Sequence, residues 1–124
     1  MSAASKKKGK RVLGSLLEYA LSLPGAYEDH PWGDLVVKVD KKIFAFLGED
    51  QSGSPAATLK LPSSGDAALS IAGARPTAYG LGKAGWVTMP LDTTAPPLEI
   101  LREWVEESYR AVARKTRLRE LDAR

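Results

Sequence analysis

Apolar residues recur along this chain with two periods. Val12, Leu13, Leu16, Leu17, Ala20 and Leu21 fall at helical spacing and form one stripe, which predicts a first helix beginning near Lys10 and ended by Pro24-Gly25. After a polar stretch from Tyr27 to Asp34, Leu35-Val36-Val37-Lys38-Val39 reads as a strand, Asp40-Lys41-Lys42 as a tight turn and Ile43 to Leu47 as the returning strand. The turn residues Ser52-Gly53-Ser54-Pro55 introduce a third strand over Ala57–Leu61. A short helix is expected over Ser63–Ala72, then an irregular backbone over Arg75–Gly85 and a fourth strand at Trp86–Met89. Pro97 stands at a first helical position, and Leu98, Leu101, Val105, Tyr109 and Val112 follow at intervals of three and four, so one long helix is expected to end near Arg114, Lys115 and Arg117.

A meander of antiparallel strands between two terminal helices predicts an α+β, two-layer sandwich, with both helices on one face of the sheet. Strand alternation assigns Val37, Val39, Leu59, Leu61, Val87 and Met89 to the covered face. It leaves Lys38, Thr58, Lys60, Trp86 and Thr88 on the open one. At 124 residues the chain suits a single core.

Charge divides the chain further. Residues 1–11 carry +5 and residues 110–124 carry +4, while the body between them carries −6. The division expected is a basic, disordered tail over 1–10, a folded domain over 11–115 and a basic extension over 116–124. Lys6, Lys7 and Lys8 at one end and Arg114, Lys115 and Arg117 at the other are candidate contacts for a phosphate backbone. On the open face, Trp86 beside Lys60 and close to Lys83 offers a ring for base stacking and two cations.

Other chemistry is sparse. With no Cys and one His, no thiolate or paired-histidine metal site can be assembled, and neither a metal nor another cofactor is expected. Glu28-Asp29-His30 is the one place where carboxylates adjoin the histidine. Gly80-Leu81-Gly82-Lys83 is read as a turn rather than a phosphate loop, and there is no nucleophile elbow, so an enzyme is not expected. No stretch is long and apolar enough for a bilayer and no cleavable leader is visible, which points to the cytoplasm.

The run Leu23-Pro24-Gly25-Ala26-Tyr27-Glu28-Asp29-His30-Pro31-Trp32-Gly33, with Lys38-Val39 and Lys42-Ile43-Phe44-Ala45, resembles the opening signature of the MmcQ/YjbR family. Leu59-Lys60-Leu61-Pro62, Pro76-Thr77-Ala78-Tyr79 through Lys83, Trp86-Val87-Thr88 and Ser108-Tyr109 resemble its second half. The resemblance implies a fold similar to bacterial frataxin and carries a DNA-binding label. Many members have His and Asn around the Tyr-to-Trp segment, where this chain has Gly80, Gly82 and Gly85. The expected function is non-enzymatic DNA binding through the basic ends and the open face; the alternative is a module that binds a protein or small ligand.

Overall fold

The computed structural model describes residues 3–50 and 52–124. Helix α1 spans Ala3–Ser22 and is followed by strands β1 (Tyr27–Asp29), β2 (Val36–Val39), β3 (Lys42–Glu49) and β4 (Pro55–Lys60). A five-residue helix α2 (Gly65–Leu69), strand β5 (Arg75–Pro76) and a single 3-10 turn (Leu81–Ala84) lead to β6 (Trp86–Pro90). Helices α3 (Leu98–Val112) and α4 (Lys115–Asp122) complete the chain. The strands form one antiparallel sheet in the order β1-β2-β3-β4-β6-β5.

The architecture is the expected α+β sandwich. Val37, Val39, Leu59, Leu61, Val87 and Met89 are all buried under the helices, as their alternation requires. Leu16 and Ala20 from α1 and Leu101, Trp104, Val105 and Tyr109 from α3 meet them. A bulge adds to this core. Val37 pairs with Ala45 and Lys38 with Ile43, so Phe44 has no partner on β2. The extra residue lets Phe44 and Ala45 both be buried, which strict alternation forbids, and the Phe44 ring packs edge-on against Tyr109 at 5.3 Å.

One turn of α3 ties the layers together. The Ser108 hydroxyl accepts a hydrogen bond from the Lys60 N–H at 2.8 Å and donates to the Phe44 carbonyl, both groups lying beyond the last β3–β4 pair. Tyr109 Oη donates to the Pro24 carbonyl at 2.6 Å. Glu107 accepts from the N–H groups of Ser63 and Ser64, and Glu106 accepts from the Tyr19 phenol.

Four expectations need correction. First, the segment expected to be a disordered tail over 1–10 is helical from Ala3, because α1 docks there. Gly9 is buried, and a Cβ added to it would meet the Leu91 carbonyl oxygen and lie 2.8 Å from Pro55 Cβ. Second, the basic extension over 116–124 belongs to α4, whose Leu118 and Leu121 pack on the core. The chain breaks at Ala113 and Arg114, both extended, because a helix continuous to Asp122 would be about 37 Å long, against about 27 Å for β3, and would carry these leucines past the sheet.

Asp40 secures the break by accepting the Arg114 N–H at 3.0 Å and Arg117 Nε at 3.3 Å. The third and fourth corrections are strands: Tyr27–Asp29 and Arg75–Pro76, read as loop and irregular backbone, are the two sheet edges. They are three and two residues long, too short for a periodic signal.

Two outcomes test this packing. Alanine normally stabilises a helix interior relative to glycine by about 0.5–1 kcal/mol, and Gly14, which has open space around its Cα, should follow that rule as Gly14→Ala. Gly9→Ala should reverse it and destabilise by about 1–3 kcal/mol through overpacking, both read by urea unfolding. The Arg114 N–H holds the Asp40 carboxyl below the usual carboxylate range, Arg117 adds to this and partial desolvation opposes it. Its contribution is therefore complete above the unfolded-state value, about pH 4, and is lost as pH falls through the lower folded-state value. Asp40→Asn should be less stable than the parent at pH 7, with the gap closing below about pH 4.

Candidate functional site

The amino-terminal cations sit on a helix rather than on a free tail. Lys6, Lys7, Lys8, Lys10 and Arg11 are all exposed, and none makes an ion pair among the described residues. Lys7, Lys10 and Arg11 occupy i, i+3 and i+4 and line one shared shallow concavity. That spacing is readable in the sequence. Gly9, wedged against β4 and the end of β6, holds this turn in place.

The carboxy-terminal cations lie elsewhere. Arg117 is held by Asp40 and by Glu120 at 3.2 Å, and Arg110 by Glu106 and Asp122 at 3.2 and 2.7 Å, so two of the six cations of residues 110–124 are already paired. The Arg114 and Lys115 side chains are exposed at the start of α4. Arg124 donates to the Ser22 carbonyl, and Gly25 packs on the Arg117 guanidinium, so α4 stands at the carboxy-terminal end of α1. From Lys8 to Ser22 is about 21 Å along the helix. The two basic groups are thus separate patches.

Lys60 and Trp86 form a register pair on the face away from the helices, with Lys83 in the 3-10 turn just before Trp86. The Trp86 ring, however, is only 9% exposed. It packs edge-on against Phe46 at 5.7 Å and borders, with Pro76 and Gly82, a hollow of about 250 Å³, so little of the ring is open to a base. The stacking role expected of Trp86 is therefore corrected: it fills the outer layer. The N–H groups of Leu81, Gly82, Lys83 and Gly85 are consumed by carbonyls of the same segment, as a turn requires, and cannot cradle a phosphate.

The exposed aromatics are different ones. Tyr79 is 96% and Trp32 72% exposed, and Tyr79 is held at φ +61, a conformation that costs a non-glycine residue about 1–2 kcal/mol. Tyr79 stands on the rim of a groove of about 260 Å³, floored by β3, β4 and β6 and walled by Phe46, Leu35 and Leu81. The Thr58, Thr88 and Thr77 hydroxyls run across its floor in a ladder, with oxygens 2.9 and 3.0 Å apart. Asp34, Glu49 and Asp50 stand around it with Arg75, which also borders a second hollow of about 370 Å³ towards Asp92. Patterning placed Thr58 and Thr88 on this face, but the partners come from loops and a two-residue strand.

At the β1 edge, His30 Nε2 lies 2.6 Å from Glu28 Oε2 and Lys38 Nζ 2.7 Å from Asp29 Oδ2. Lys38 holds the Asp29 carboxyl below the usual carboxylate range. Among the described residues there is no group of three or more His, Cys, Asp or Glu able to hold a metal ion, and no helix is long and apolar enough to cross a membrane.

The crystal structure of the Deinococcus radiodurans protein DR2400, with a DUF419 domain, is similar to this chain with a TM-score of 0.67 and 29% identity, covering 89% of this chain and 87% of that one. Nothing among the curated proteins matches. The family model for YjbR matches residues 21–111, from the end of α1 almost to the end of α3, and so takes in every strand, the bulge and the Ser108-Tyr109 turn. The chain therefore belongs to the YjbR family.

Proposed function

We propose that this protein is a non-enzymatic, cytoplasmic DNA-binding protein that engages the phosphate backbone through the first turns of α1. The observation that carries the reading is the set Lys6, Lys7, Lys8, Lys10 and Arg11: five exposed cations on one docked helical segment, with no ion-paired partner among the described residues. A packed helix presents these charges in a fixed array, so the entropy of ordering a tail on binding is already spent.

Arg114 and Lys115 would add a second, weaker contact at the other end. Arg117, committed to Asp40 and Glu120, contributes little. Lys60 and Trp86 lie on the face away from the helix layer and, with Lys83, take no part, and no base is read, because Trp86 is buried within that face. Binding of this kind is insensitive to base sequence and steep in salt.

Fluorescence anisotropy with a labelled duplex, titrated with salt, tests the reading. Replacing Lys7, Lys10 and Arg11 together by Ala should weaken binding at least tenfold and flatten the log–log salt slope by about 2.7, at about 0.9 per phosphate contact. Arg117→Ala should leave that slope nearly unchanged. No binding of duplex or single-stranded DNA by the full-length protein at low salt would sink the proposal.

A further inference from the structure

The groove on the outer face is unused by backbone binding at α1, and its chemistry is of the opposite sign. We propose that it is a binding site for a small organic cation, an ammonium or guanidinium carried on an aromatic or aliphatic body. Three observations lead to that class.

The first is the balance of hydrogen-bonding groups. Asp34, Glu49 and Asp50 contribute carboxylates, which only accept; Arg75 is the one charged donor among the lining residues. Burial pushes the Asp50 carboxyl up, but hydrogen bonds from the Ser52 hydroxyl and from the N–H groups of Ser54 and Ser52 outweigh it and hold it below the usual range, so it remains an anion. The threonine ladder adds to the excess of acceptors. Two hydrogen bonds join three hydroxyls and use two of their protons, whereas each oxygen has two lone pairs, so unused acceptors outnumber the single unused donor. A complementary ligand is rich in N–H donors and positively charged.

The second is the apolar wall. Phe46, Leu35, Leu81 and Tyr79 surround the acceptors with hydrocarbon and two aromatic rings, a setting that favours a cation with an organic body over a bare metal ion. The volume of about 260 Å³ lies just under the range for drug-sized ligands, which limits the body to a small one.

The third is Tyr79. Its positive φ is a backbone cost with no packing return, since the ring is 96% exposed at the groove rim. Closing over a ligand cation would supply that return. Nucleic acid is the wrong occupant here: the acidic rim repels phosphate and Trp86 is not available for stacking.

Three probes of matched shape and different charge provide the test: phenethylamine, 2-phenylethanol and phenylacetate, titrated into the full-length protein and followed by heteronuclear NMR. Phenethylamine should shift Phe46, Thr58, Tyr79 and Thr88 together and saturate at least tenfold lower in concentration than phenylethanol, with phenylacetate weakest. Equal binding of all three, preference for phenylacetate, or shifts spread over the surface away from these residues would overturn the proposal. Glu49→Gln and Asp34→Asn, both exposed and so without effect on folding, should each weaken phenethylamine about threefold or more; unchanged affinity in both would also overturn it. Tyr79→Gly separates binding from structure. It relieves the positive φ, so it should raise the melting temperature while weakening phenethylamine, and a variant that binds as well as the parent counts against the site.

Discussion

The layers of this protein are joined where the β3–β4 ladder stops, because the hydroxyl of Ser108 bridges the two peptide groups left over there. Phe44 enters the core because β3 has one residue more than β2 at that point. Its carbonyl and the Lys60 N–H would lie beyond the last β3–β4 pair, Ala45 with Leu59, and Ser108 is inserted between them. A buried peptide group left unpaired there would cost about 1–3 kcal/mol, so the end of the β3–β4 ladder and the helix position depend on each other. The neighbouring residues of the same turn fasten α1 through Tyr19, the loop before β1 through Pro24 and the approach to α2 through Ser63 and Ser64. With α3 fixed at this turn, the placement of the remaining elements follows.

That placement sorts charge by face. The helix layer carries exposed cations at the start of α1 and, in α4, Arg117 paired with Asp40 and Glu120 beside exposed Lys115 and Arg119; the opposite face presents carboxylates around the threonine ladder. The net +3 of the whole chain conceals this arrangement. Polyanions and organic cations would meet different sides of one sheet, and neither set of contacts obstructs the other.

Asp40 shows how one turn residue serves two purposes. In the β2–β3 hairpin both Asp40 and Lys41 have positive φ, as a two-residue turn matched to strand twist requires, and Asp tolerates that conformation better than most side chains. The same geometry aims its carboxylate at the Arg114 N–H, where it marks the start of α4 and neutralises Arg117. A charge counted as available for a ligand is thereby converted into a fold contact.

The sequence by itself determined the class of fold, since the helical stripes around Leu16 and Leu101 and the alternation of Val37, Val39, Leu59 and Val87 are local consequences of burying one face of each element. The resemblance carried by Leu23 to Gly33 and by Ser108-Tyr109 identified the family before any contact was known. The tertiary structure decided what no local period records. Gly9 ordered the amino-terminal helix through a close approach to Leu91 and Pro55, far away in sequence. Asp40 secured the break in what reads as one helix by accepting the Arg114 N–H, and Trp86, paired with Lys60 on the outer face, is covered there beside Phe46 while Tyr79 stays exposed. Alternation specifies which side of a strand a residue occupies, but exposure on that side depends on which loop returns to cover it, and this is a property of contacts between segments distant along the chain.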